Sequence, residues 1–242
     1  RAPTEGVRRV RLAQLSVGGR PPAEGLPAGT DRHTATDAAG VDAVLAALEE
    51  GWPGRLGAEA PRLVIDADLA GLNLVLHRLL RRGLLETVET AVLLPEPVLY
   101  LSRLGLPADL AGQLRVARQA PARLVGVVKD DSGGVCVDAA SLQPWPGAEA
   151  PWWLRAVVDD QRLADGTVRG LRVRRLGPSE LEATVQLGRL RRRSCRGRSL
   201  QLACDPALIV ADGVSRDRPR GKRTFWSEPN LWRLALPPVG GQ

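Results

Sequence analysis

Leu63-Val64-Ile65-Asp66-Ala67-Asp68-Leu69-Ala70-Gly71-Leu72-Asn73 is the stretch on which the fold of the first half turns. Leu63–Ile65 is short and apolar enough for a buried strand, and Asp66–Asp68 makes a tight connection. Leu72–Leu80 follows as a helix with Leu72, Val75, Leu76 and Leu79 on one face, stopped by Gly83. The same alternation extends outward on both sides. Upstream, Val10–Val17 is a strand ending in Gly18-Gly19, and Arg20–Thr36 is a polar, Pro- and Gly-rich stretch. Asp37 then caps a helix over Ala38–Glu50, which Gly51-Trp52-Pro53-Gly54 breaks. Downstream, Ala91–Leu94 is a strand closed by Pro95 and Pro97, and Leu106-Pro107 opens a helix to Gln119. Strands alternating with helices at this spacing predict a Rossmann-like α/β domain with a parallel sheet.

Beyond Pro121 the pattern becomes all-β. Leu124–Val128 and Val135–Val137 flank the turn residues Asp130-Asp131-Ser132-Gly133-Gly134. Val168–Arg174 and Leu181–Leu187 flank Gly177-Pro178-Ser179, and Leu200–Cys204, Ala207–Ala211 and Leu231–Leu236 supply further strands. Turns at this spacing predict an antiparallel β-sandwich over 122–230. Trp145, Trp152 and Trp153 fall in a Pro-rich connection, as core or membrane-interface contacts.

The charge is distributed along the same division. The 242 residues carry a net +7, and the first 121 balance, so the second half holds the whole excess. Of 34 basic side chains only Lys129 and Lys222 are lysines, and Met is absent, a skew that matches GC-rich coding. No apolar run reaches the roughly 18 residues of a membrane span. Cys136, Cys195 and Cys204 form no CxxC, and with only His33 and His77 they assemble no zinc set at the usual spacings. The expected location is cytoplasmic, with peripheral contact at a membrane as the addition that the charge allows. The chain does not begin with Met, which leaves room for a segment upstream.

Several residues are candidates for chemistry. Amides at a helix N-terminus make an anion site, which marks Asp68, Gly71 and Asn73 as nucleotide-binding candidates. Asp66 and Asp68 together could hold Mg²⁺ through carboxylate oxygens, and Asp68 alone could cap the helix. Gly18-Gly19 lacks the Lys-Ser/Thr of a phosphate loop and reads as a turn. Asp130-Asp131 and Asp159-Asp160 sit at strand ends, where neighbours point to opposite faces and turn chemistry is the usual role. Gly188–Arg198 carries Arg189, Arg191, Arg192, Arg193, Arg196 and Arg198, a run suited to anionic lipid or nucleic acid, or to protecting a strand edge. No aromatic interleaves it, which disfavours stacking on single strands.

The order of elements, Leu-Asn opening a helix, Leu104-Gly105-Leu106-Pro107 opening another, and an all-β second half, resembles the soluble bacterial diacylglycerol kinases of the NAD kinase and sphingosine kinase superfamily. The closing residues carry it furthest: Ala211-Asp212-Gly213, a basic stretch, Thr224-Phe225-Trp226 and Leu231–Pro237 are similar to the family's DG motif and last strand. The resemblance implies that 231–242 return to the first domain and that ATP and Mg²⁺ would be the cofactors of any kinase activity; a rewired active site would draw its base from Asp130, Asp131 or Asp212. It also exposes departures. Where the family has GGDGTxN, this chain has Ala67 to Asn73, with Leu69 at the Asp and only Asn73 matching. The second loop, PxGTxND, is Pro95-Glu96-Pro97-Val98-Leu99-Tyr100, and the acidic residue after DG is Val214. Without those glycines and carboxylates, phosphate cradling and proton removal lose their groups. The expectation is a non-catalytic binding or regulatory relative that engages an anionic lipid, a membrane surface or a protein partner. The rival expectations are an active lipid or small-molecule kinase with a rewired site, and a nucleic-acid-binding protein using the arginine run.

Overall fold

Two aspartates set the helices of the first half. In this computed structural model, which describes residues 10–51, 61–147 and 152–238, Asp37 Oδ1 accepts the Gly40 amide at 2.8 Å and starts α1 (Ala38–Gly51). Asp68 Oδ1 accepts the Gly71 amide at 2.7 Å and starts α2 (Leu69–Arg81), three residues before the predicted position. The parallel strands of this half are β1 (Leu12–Val17), β2 (Asp31–Ala35), β3 (Arg62–Asp66) and β4 (Thr90–Leu93). After β4 come α3 (Leu99–Arg103) and α4 (Leu110–Gln119), the latter capped by Asp109 rather than opened at Leu106. Neither β2 nor α3 was expected. The Gly51–Gly54 break falls, beyond Gly51, outside the described residues.

The chain divides into two compact units, Arg1–Leu124 with Trp232–Gln242, and Val125–Leu231. In the first, the strand order is β2-β1-β3-β4, and beyond β4 lies the end of a last strand, Leu234 opposite Thr90. One face of the sheet carries α1 and α2. They are joined by Arg78 with Asp42 and by Arg82 with Glu49, and α2 comes so close that a Cβ on Gly71 would lie 3.3 Å from Val17 Cβ. On the other face, buried Arg62 donates to the Val116 and Ala117 carbonyls of α4 and pairs with Glu89 at 3.0 Å. Beside α4, that face is covered by the segment 18–30, which returns from β1 to β2 without a helix.

The second unit is antiparallel. Its strands are β5 (Ala122–Asp130), β6 (Val135–Cys136), β7 (Ala139–Pro144), β8 (Trp152–Val158), β9 (Gln161–Val168), β10 (Gly170–Gly177), β11 (Glu180–Gln186), β12 (Arg192–Gly197), β13 (Ser199–Ala211) and β14 (Val214–Ala235), the ends of β5 and β14 belonging to the first unit. The order β12-β11-β10-β7-β13-β14 is hydrogen-bonded throughout. β13 is long and irregular between Ala203 and Ala207. Its first half pairs with β8 and its second with β7, so one strand serves two layers. Between the layers lie Trp152, Leu154, Val173, Leu181, Val185, Leu200, Ile209 and Phe225, all buried. Parallel strands followed by an antiparallel sandwich is the predicted fold class. Trp152 and Trp153 correct one reading: they begin strand β8 rather than lying in a connection, with Trp152 in the core and Trp153 exposed. The β5–β6 hairpin and the β10–β11 turn are where the sequence placed them.

Candidate functional site

In an open parallel sheet, ligands bind beyond the carboxyl ends of the strands where the strand order reverses. Here β1 connects to β2 on one side and β3 to β4 on the other, so the reversal lies between β1 and β3. The residues at those ends are Ser16-Val17-Gly18-Gly19 and Asp66-Ala67-Asp68. Gly18 and Gly19 have φ of +82° and +73°, which glycine adopts without cost, and the Gly18 amide donates to Ala35 O at 3.1 Å.

Asp66 and Asp68 diverge. Asp66 is buried on the face that α4 covers, where its Oδ2 accepts the Ala23 amide at 2.6 Å, Gln14 Nε2 at 3.1 Å and Ser16 Oγ at 3.4 Å. Gln14 Nε2 also reaches Ala23 O at 3.4 Å. Gly25, at φ +97°, passes so near α4 that a Cβ would lie 2.9 Å from Leu114 Cδ1. Asp66 thus clamps the 18–30 segment to the sheet. Asp68 is exposed and caps α2. Among the described residues, no group of three or more His, Cys, Asp and Glu side chains gathers for a metal ion.

Three amides at this strand end have protein partners. Ala67 N donates to Leu93 O at 3.2 Å, Gly71 N to Asp68 Oδ1, and Leu72 N to Asp68 O at 2.9 Å. Gly71 is closely packed, since a Cβ there would meet Ala67 Cβ at 2.9 Å. Asn73 is buried in α2. The loop after β4 is held by a residue the sequence reading passed over. Buried Gln113 of α4 accepts the Leu94 amide at 2.7 Å and donates to Leu94 O at 3.3 Å and Pro107 O at 3.0 Å. A lone Gln within an amphipathic helix carries no motif; only its place on the buried face would have marked it.

The carboxylates considered as bases lie in the second unit. Asp130 Oδ1 accepts the Ser132 and Gly134 amides at 2.8 and 3.1 Å, inside its own turn. Asp131 pairs with buried Arg223 at 2.8 Å and accepts the Thr224 amide at 3.2 Å. Asp212 and Gly213 both have positive φ, +49° and +84°, as a two-residue hairpin turn requires. The Asp212 carboxylate accepts three successive amides, from Val137 at 2.6 Å, Asp138 at 2.9 Å and Ala139 at 3.1 Å. The Cys136 thiol, 3.3 Å from Asp212, is raised well above its ordinary pKa, by burial first and by the Asp212 charge second.

The arginine run spans the turn before the edge strand β12, the strand itself and Arg198 after it. Arg189, Arg191, Arg192, Arg193, Arg196 and Arg198 are all exposed, and Arg196 reaches Glu182 at 3.4 Å. On the outer face of β7, β10, β11 and β12 lies a concavity of about 630 Å³, lined among others by Arg169, Arg172, Arg174 and Arg192.

Solved structures of known proteins share this fold. A diacylglycerol kinase from Bacillus anthracis str. Sterne superposes with a TM-score of 0.69 at 10% identity, over 97% of this chain and 99% of that one. This protein has the diacylglycerol kinase fold. An NAD kinase from Archaeoglobus fulgidus in complex with ATP shares that fold with a TM-score of 0.56, at 10% identity over 94% of each chain. No protein-family model and no curated protein sequence matches the chain. No helix among the described residues is long and apolar enough to cross a membrane.

Proposed function

We propose that this protein is a non-catalytic binding or regulatory member of the diacylglycerol and NAD kinase fold. The observation that carries the reading is the start of α2, where the Asp68 carboxylate accepts the Gly71 amide. A helix N-terminus attracts one anion, and here the chain supplies it covalently, so a phosphate arriving there meets a like charge. Asp66 is turned onto the opposite face of the sheet by Ala23, Gln14 and Ser16, away from any ion shared with Asp68. Asp130, Asp131 and Asp212 each accept backbone amides, which ties the three carboxylates proposed as bases into the turns and strand ends of the second unit.

The test is ATP- and Mg²⁺-dependent phosphorylation of diacylglycerol in mixed micelles, and of NAD in solution, with a nucleotide thermal shift alongside. The expected result is no phosphate transfer and no Mg²⁺-dependent shift with ATP or ADP. Turnover of either substrate would instead establish a rewired active kinase, and a Mg²⁺-dependent shift abolished by Asp68→Ala would establish a nucleotide site at the start of α2.

A further inference from the structure

The turn between β11 and β12 is closed by Arg191 O, which accepts the Leu187 amide at 2.9 Å and the Gly188 amide at 3.3 Å. This geometry drives Leu190 outward until it is 94% exposed, the most exposed large apolar side chain described. Its neighbours Arg189, Arg191, Arg192 and Arg193 have no ion-pair partner among the described residues. By contrast Arg174 and Arg196, farther along the same sheet, both pair with Glu182.

Register brings two more groups to this end of the unit. Arg169 N donates to Gln186 O, and Gln186 lies opposite Arg192. Trp153, also exposed, lies opposite Thr167, two residues before Arg169. One end of the sandwich therefore presents an apolar point, an aromatic side chain and at least five cations.

We propose that the β11–β12 hairpin docks this protein on an anionic lipid bilayer, with Leu190 entering the acyl boundary and the flanking arginines meeting lipid phosphates. Charge complementarity selects an anionic surface. The exposed leucine at the tip selects a bilayer over a nucleic acid, because a duplex offers phosphates but no hydrocarbon at that depth. Exposed Trp153 fits the headgroup level, where amphipathic rings collect. This inference concerns the second unit and stands apart from the phosphate chemistry of the first.

Flotation with vesicles of phosphatidylcholine, with and without phosphatidylglycerol, tests it on the intact protein. Binding is expected only with phosphatidylglycerol and should weaken as salt rises. Leu190→Ser should reduce partitioning about tenfold, the scale of one buried leucine. Replacing Arg191, Arg192 and Arg193 by Gln should reduce it about fivefold per charge. Leu190→Trp should retain binding, and since all four side chains are exposed, melting temperatures should not change. Equal binding to both vesicles, or wild-type binding by the Ser and Gln variants, would overturn the proposal. So would absence of vesicle binding, including the case where the protein instead binds duplex DNA with a steep salt dependence.

Discussion

Asp66 shows how one side chain decides whether a strand end stays open. Its carboxylate gathers the Ala23 amide, the Gln14 amide group and the Ser16 hydroxyl in a buried position. Removing it leaves those donors buried and unmatched, so Asp66→Ala should lower unfolding stability by about 1–3 kcal/mol in urea titrations. A purely surface carboxylate would give almost no change. Asp66 and Asp68 look equivalent in the sequence, two carboxylates in one tight connection. What separates them is where the strand stops: Asp66 is the last residue of β3 and points onto a covered face, whereas Asp68 has left the strand and caps the helix. The second partner of the pair, Gln14, lies 52 residues away, and nothing local announces it.

At the scale of elements, hairpin turns tie strands together through single carboxylates. Asp159, in the β8–β9 turn at φ +50°, accepts the Arg198 and Ser199 amides and the Ser199 hydroxyl where β12 passes into β13. Gly197 permits this approach, since a Cβ there would lie 2.5 Å from Asp159 Oδ2. Burial acts to raise the Asp159 pKa, but the Arg198 and Ser199 amides, the hydroxyl and the Arg198 charge outweigh it and hold the carboxyl below its ordinary 3.8. A depressed folded pKa gives stability that is full above 3.8 and lost as pH falls through the folded value. Asp159→Asn, which tolerates the positive φ, should lower stability at neutral pH and flatten the acid limb of a stability profile below that point.

Strongly patterned elements were legible from the sequence, and edges were not. α1, α2, β3 and the β5–β6 hairpin follow from periodicity and caps. β2 (Asp31-Arg-His-Thr-Ala) and β12 (Arg192-Arg-Ser-Cys-Arg-Gly) are edge strands whose residues are mostly exposed or half-buried, and their polar residues read as loop and charge run. α3 is a five-residue helix hidden behind Pro95 and Pro97. Of the candidate site, the cap was legible, while the clamp on Asp66 and the stitch by Gln113 depend on tertiary neighbours.

Across the whole molecule, the chain leaves the first unit through β5 and returns along β14. Trp232, fully buried, donates its Nε1 hydrogen to Thr90 Oγ1 at 2.7 Å, and Leu234 pairs with Thr90 across the sheet. Trp232→Ala should cost about 3–5 kcal/mol. The loss should appear in thermal unfolding of the first unit and spare the second, as hydrogen exchange at β10 and β11 would register. The returning strand also imposes a schedule on synthesis. Thr90 and Trp232 stand 142 residues apart, so at ribosomal speed β4 waits roughly ten seconds or more for its neighbour. During that interval the first unit holds an unpaired sheet margin in which three of the four residues, Ala91, Val92 and Leu93, are apolar. The part of the protein that is made first is therefore finished last, and a chaperone acting on the nascent chain would find its binding surface at β4.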